Sequence, residues 1–323
     1  MLSRACGVLR RAAAPASQLL PRRAFTVAID GPAASGKSST ARAVAHELGF
    51  GYIDSGSIYR CAALLALRAG AVPGSGERSD VAGLVGRASI DIRTRLSPDH
   101  PAPGGTDTGR VVVPDVQVLL DGEDVSQAIR TPEINRLVAA IASDSAVRDT
   151  VLRIQQALAG AAETKSGAAP GGGSAPGGVV MDGRDIGTTV FPGAELKIYL
   201  DASAMARAIR RWDEMNRQMK DAKAKAPAAS PEAGGAGGQD GPRAEGAAGQ
   251  APAEYPSVES IARELEERDY ADINRKHSPL RIASDAVVID NTSMTFERQV
   301  HAIVDLARER MGLPRKYDDD DDL

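Results

Sequence analysis

The segment Gly31-Pro32-Ala33-Ala34-Ser35-Gly36-Lys37-Ser38-Ser39 concentrates more chemistry than any other stretch of the chain. Two glycines bracket four residues and are followed by lysine and serine, which is the complete pattern of a phosphate-binding loop. Polyphosphate oxygens need several donors at once. The loop amides and the amino end of the next helix supply them, and Gly31 and Gly36 let the backbone curl that closely. Lys37 adds charge toward the β and γ phosphates of a nucleotide such as ATP, and the Ser38 hydroxyl can ligate magnesium.

A second group consists of arginines paired with carboxylates. Arg60 ends Asp54-Ser55-Gly56-Ser57-Ile58-Tyr59-Arg60, and Val180-Met181-Asp182-Gly183-Arg184-Asp185 puts Asp182 where it could hold magnesium through water, with Arg184 facing the same crevice. Arg207, Arg210 and Arg211 form a stripe at helical spacing, and Arg268, Asp272 and Arg275 recur at steps that share one helix face. Guanidinium forks match phosphate oxygens bidentately, and phosphoryl transfer between two bound phosphates runs on positioning and convergent charge. The combination favours a phosphotransferase, with Lys37, Asp182 and Arg184 as catalytic candidates, over a simple nucleotide binder.

These residues need a scaffold. Short apolar runs ending in an acid occur at Phe25–Asp30, Tyr52–Asp54, Val179–Asp182, Leu196–Asp201 and Ala286–Asp290, separated by helical patterns such as Lys37–Leu48. They predict an α/β protein with a doubly wound, five-stranded parallel sheet and functional residues at the strands' carboxyl ends. Ala88–Leu96 and Arg110–Val125 alternate apolar and polar residues around turn formers, which predicts a small antiparallel insertion. Gly160–Gly178 and Ala222–Ala253 are dominated by Ala, Gly, Pro, Ser and Gln and read as disordered inserts; Asp318–Asp322 reads as a solvated acidic tail.

With 42% hydrophobic residues in 323, the chain can bury one large domain or one with a small satellite. Its net charge of −4 argues against the broad basic surface of a nucleic-acid binder. Cys6 and Cys61 are too few for a disulfide framework or a four-ligand zinc site. No run of apolar residues reaches membrane-spanning length. Residues 1–25 contain Arg4, Arg10, Arg11, Arg22 and Arg23 and no acid, which predicts a transit peptide to a mitochondrion or chloroplast, with the cytoplasm as the alternative.

The quoted stretches, together with Asp121-Gly122-Glu123-Asp124-Val125-Ser126, Ile129-Arg130-Thr131 and Arg268-Asp269-Tyr270-Ala271-Asp272-Ile273-Asn274-Arg275, resemble the bacterial-type cytidylate kinase family of phosphate-loop nucleoside monophosphate kinases. The resemblance implies ATP- and Mg2+-dependent phosphorylation of CMP and dCMP. It divides residues 26–313 into a core, a monophosphate-binding part at about 60–148 and a lid at about 203–256, and leaves 314–323 as the acidic tail. Carried over position by position, it assigns the acceptor phosphate to Arg60, Arg184 and Arg275, cytosine to Ser55, Arg148 and Asp185, and the ribose to Arg268 and Asp272. Arg207, Arg210 and Arg211 would sit on the lid, with Arg207 and Arg211 meeting ATP phosphates. Ala139 stands where many members place a base-touching serine. A broader uridylate/cytidylate kinase and a noncatalytic nucleotide-dependent regulator are the alternatives. A monomer without nucleic-acid or membrane partners is expected.

Overall fold

The computed structural model describes residues 25–71, 80–96, 111–165, 177–225 and 256–317. Its centre is the expected parallel sheet: β1 (Phe25–Asp30), β2 (Gly51–Asp54), β6 (Gly178–Gly183), β7 (Leu196–Asp201) and β8 (Val287–Asp290), in the order β2-β6-β1-β7-β8. β1 is buried along its whole length, as a central strand covered on both faces must be.

Alternation decides which face each side chain takes. Val27, Ile29, Val180 and Ile198 point toward α1 (Lys37–Leu48) and α8 (Phe296–Arg310); Ala28, Val179 and Met181 point toward α2 (Ser55–Arg68) and α5 (Ser145–Lys165). The same parity sends Asp182 to the first side and Asp30 to the second, so two carboxylates on neighbouring strands serve different surroundings.

The antiparallel insertion is also present. β3 (Ile90–Arg95) pairs with β4 (Asp115–Leu120), and β4 turns through Asp121-Gly122 into β5 (Glu123–Asp124). Both turn residues have positive φ, 51° and 85°, which is why the two-residue turn reads Asp-Gly. Around it stand α3 (Val81–Arg87), started by the Asp80 side chain accepting from Gly83 N, and α4 (Pro132–Ser143), capped by Thr131 with proline in its first turn. The remaining helices, α6 (Ala204–Lys225) and α7 (Val258–Asn274), pack as a pair beside the phosphate loop.

Three expectations need correction. The insert expected from Gly160 begins inside α5, which runs to Lys165. Alanine is the best helix former, and Ala162 packs where Gly51 leaves room: a Cβ on Gly51 would come within 2.7 Å of it. Likewise α6 continues to Lys225, three residues past the expected start of the second insert at Ala222. Residues 166–176, 226–255 and 318–323 lie outside the described residues, so the rest of both inserts and the Asp318–Asp322 run do too. Residues 314–317, expected in a solvated tail, fold back instead. Asp305 Oδ1 accepts from Lys316 N at 2.7 Å, Tyr317 stacks on His301 at 3.6 Å between centroids, and its hydroxyl donates to Glu47. No described helix is long and apolar enough to cross a membrane.

Candidate active site

The phosphate loop connects β1 to α1 along a path that only its glycines permit. A Cβ on Gly31 would lie 2.1 Å from Leu200 O, at a φ of 153°, and Gly36 caps α1 at a φ of 87°. Several side chains hold the loop from behind. Asn291 Nδ2 donates to Ser35 O at 2.9 Å, Arg207 Nη1 donates to Ala33 O at 2.9 Å, and Asp269 Oδ1 accepts from Ala33 N at 2.9 Å. Lys37 is buried, and its ammonium donates to Pro32 O at 2.5 Å and to Ser35 Oγ at 3.3 Å. Desolvation, then the nearby Arg184 charge, push its pKa well below the ordinary lysine value, against the pull of Asp182 and Asp30.

Asp182, at the end of β6, is the acceptor for two hydroxyls. Ser38 Oγ donates to Oδ2 and Tyr52 OH to Oδ1, both at 2.7 Å. Burial first, and the Asp54 charge second, push its carboxyl up to about 6, while both hydrogen bonds and Lys37 oppose the rise. Among the described residues no cluster of three or more His, Cys, Asp or Glu could hold a metal by itself. The serine and the carboxylate offer hard oxygens to a divalent ion whose other ligands would be phosphate and water.

A chain of ion pairs leads away from this point. Arg184 Nε donates to Asp272 Oδ2 at 2.9 Å, Arg275 lies 3.7 Å from Asp272 and 3.6 Å from Asp185, and Arg148 Nη2 donates to Asp185 Oδ2 at 2.5 Å. Arg148 also stands 5.5 Å over the Tyr59 ring, and burial pushes the Tyr59 phenol up to about 12. Arg148 Nε and one Nη of Arg275 are buried without a hydrogen-bond partner. Buried donors of this kind are costly unless something else accepts from them. Ser55, at the start of α2, accepts from the fully buried Gln155 at 2.7 Å.

Arg60 closes the other side, donating to Ile129 O at 3.0 Å and to Asn135 Oδ1 at 2.5 Å. Its pKa is lowered by desolvation, then by Arg268 and, more weakly, by Arg130 and Arg211, with Asp54 opposing. Arg268 is lowered by desolvation and then by Arg184. Lys37, Arg184, Arg268 and Arg60 therefore crowd one space from several elements, which is unfavourable until anions enter.

Most of the sequence candidates converge on this cleft: Lys37, Ser38, Asp182, Arg184, Asp185, Arg148, Arg268, Asp272 and Arg275, with Ser55 and Arg60 at its edges. Others stand apart. Arg207 is buried and engaged by Ala202 O, Ala33 O and Asp269, Arg210 donates to Asn291 and Thr292, and Arg211 pairs with Glu214 on the surface. Ala139 is exposed on α4, one turn after Asn135. Sequence reasoning passed over Asp30, Tyr52, Gln155 and Asp269. Asp30 did carry a signal, as the acid that ends β1 directly before the loop; the other three needed the packing to be seen.

The model of the family described as cytidylate kinase matches residues 27–228 and 242–309. Among curated proteins, the chain is 39% identical over 290 residues to a cytidylate kinase of Pelodictyon phaeoclathratiforme, covering 90% of this chain and 97% of that protein. It is 34% identical to one of Chlorobaculum tepidum, over 90% of this chain and 95% of that protein, and 35% identical to one of Mycobacterium avium, over 90% and 97%. These relatives are bacterial, which corrects the organellar address expected for residues 1–25: an arginine-rich, acid-free composition describes charge and does not specify a compartment. The matched span takes in the phosphate loop, the Asp182–Asp185 turn and the Arg268–Arg275 helix face together, and the chain belongs to the cytidylate kinase family.

Proposed function

We propose that the protein transfers the γ-phosphoryl group of ATP to CMP, and to dCMP, giving ADP and the pyrimidine nucleoside diphosphate. The observation that carries this reading is the crowding of Lys37, Arg184, Arg268 and Arg60 around one cleft at the strand ends, where Arg184 and Arg268 lower the pKa of Lys37, Arg184 that of Arg268, and Arg268 that of Arg60. That much like charge calls for two polyanions, a donor on the loop and an acceptor opposite it.

In the mechanism, Gly31 to Ser39 wrap the donor's phosphates and Lys37 follows the charge that grows on the leaving oxygen. Ser38 and Asp182, the latter through water, would hold a Mg2+ ion, which when bound supplies charge neutralisation between the β and γ phosphates. Arg60, Arg184 and Arg275 draw the acceptor phosphate into line. Its oxygen attacks the γ phosphorus as the bond to the β-bridging oxygen breaks. Arg148 and Asp185, with Ser55, would meet the cytosine edge, since a carboxylate accepts from the exocyclic amine while an arginine donates to ring N3 and O2. Arg268 and Asp272 would hold the ribose. Arg211 is left to reach ATP phosphates from the α6–α7 pair acting as a lid, while Arg207 serves the loop backbone. The β3–β5 piece with α3 and α4 would form the acceptor-binding part. Every role falls on a single chain, in keeping with a monomer.

The experiment is acceptor profiling: protein, Mg-ATP and each nucleoside monophosphate in turn, with diphosphate formation measured. CMP and dCMP should be the preferred acceptors. Equal efficiency with UMP would favour the broader uridylate/cytidylate kinase, and no turnover with any monophosphate would remove the kinase reading.

A further inference from the structure

Asp30 is the last residue of β1, one position before Gly31, and it is buried. Both its oxygens are taken by backbone: Oδ1 accepts from Ile186 N at 2.8 Å and Oδ2 from Gly187 N at 2.7 Å. Those amides open the five-residue π turn Ile186–Val190, which begins immediately after Arg184 and Asp185. The register explains the reach. β1 and β6 run parallel with Asp30 opposite Gly183, so its side chain looks across the strand ends at the chain leaving β6. Gly187 completes the fit, because a Cβ there would sit 3.3 Å from Asp30 Oδ2 and 3.1 Å from Lys197 Cδ.

A buried carboxylate is expensive. Burial pushes Asp30 up to about 6, and its nearest compensations are the two amides and the more distant Lys37 charge. Asparagine would lower that cost but has one acceptor oxygen, so it cannot give each amide an oxygen of its own as the carboxylate does. What those amides carry is specific. Asp185 is the junction of Arg148 and Arg275, and Arg184 is tied to Asp272. A turn that drifted would take Arg184 and Asp185 with it, while the loop on the other side of Asp30 has its own supports in Asn291, Arg207 and Asp269.

Resting on the kinase reading above, we propose that Asp30 is a positioning residue: from the phosphate-loop side it sets the turn that aims Arg184 and Asp185, so that acceptor binding depends on it more than ATP binding does.

The test is titration calorimetry on the full chain with CMP and, separately, with a non-hydrolysable ATP analogue, comparing wild type with Asp30→Asn. Loss of one charge-assisted bond at the turn should weaken CMP by about tenfold or more, and the ATP analogue by less than about threefold. In an Asp185→Asn background the further penalty of Asp30→Asn on CMP should shrink to less than about threefold, because both substitutions act on one turn. Equal weakening of both ligands, or a full penalty persisting beside Asp185→Asn, overturns the proposal. If Asp30→Asn does not fold cooperatively, Asp30→Ser, smaller and still an acceptor, is judged by the same ratio of the two affinities. Wild-type protein without affinity for CMP would sink the kinase reading and this inference with it. Wild-type binding matched by equal binding in the variant would sink this inference alone.

Discussion

Removing the Asp185 carboxylate would take the ion-pair partner from the buried Arg148 and one of two from the half-buried Arg275. In the proposed site that carboxylate also separates cytosine, which offers it an amine, from uracil, which offers a carbonyl oxygen. A mismatched buried polar group costs roughly 1–3 kcal/mol, so wild type should prefer CMP over UMP by about tenfold or more. Asp185→Ala should erase most of that ratio, whereas Arg60→Ala should lower kcat/KM for both acceptors together, since the phosphate is common to them. Steady-state kinetics with both nucleotides checks this, and an unchanged ratio in Asp185→Ala would remove its role in reading the base. Asp182 makes a different prediction. Its carboxyl, raised to about 6 in the fold from an ordinary 3.8, gives stability relative to the unfolded chain that is full below the lower value and lost as pH rises through the upper one. Asp182→Asn should therefore gain stability relative to wild type as pH rises from about 4 to about 8. Melting temperatures across pH measure the difference, and the same variant should lose most magnesium-dependent turnover. The residues legible in the sequence were those whose role follows from type and spacing, such as Lys37 or the Arg268–Asp272–Arg275 face. Tyr52 and Gln155 were illegible because their neighbours in sequence are ordinary, and their partners are 130 and 100 residues away.

Among the elements, α6 and α7 rest on the smallest base. The cluster beneath them holds Ala33, Ala208, Ile261, Ala262 and Leu265, against far larger cores on either face of the sheet. Three of those five side chains are alanine, and the half-buried Trp212, Met215 and Val258 pack on the cluster from outside, so it buries less apolar area than either sheet core. What ties the pair down is polar: Arg207 and Asp269 pair with each other and grip both backbone groups of Ala33. Amides of α6 and α7 should accordingly exchange with deuterium at least about tenfold faster than those of β1 and β6, and should slow when an ATP analogue is bound. Hydrogen exchange followed by mass spectrometry reads both effects, and uniform protection across sheet and helix pair would contradict the lid assignment. This element was half legible. Helical spacing marked it as α6 and α7, but the stripe of Arg207, Arg210 and Arg211 looked like one cationic face, whereas packing splits it into a strut, a tie to Asn291 and a surface residue.

At the scale of the molecule, the fold class was legible because each of five apolar runs ends in an acid where a parallel sheet opens its cleft. Strand order was not, since parallel neighbours are chosen by crossover packing over long separations and leave no local mark. That order, β2-β6-β1-β7-β8, puts β6 between the two strands made first. Every ladder bond of β2 in this sheet goes to β6, and β1 pairs only with β6 and β7. On a ribosome adding roughly 5–20 residues per second, the first two strands and their glycine loop therefore wait on the order of ten seconds for a partner. During that interval the growing chain holds α1, α2 and the whole antiparallel insertion, but no parallel sheet. The nucleotide loop therefore precedes the strands that complete its setting, and until β6 emerges β1 and β2 are unpaired strands open to the wrong neighbour.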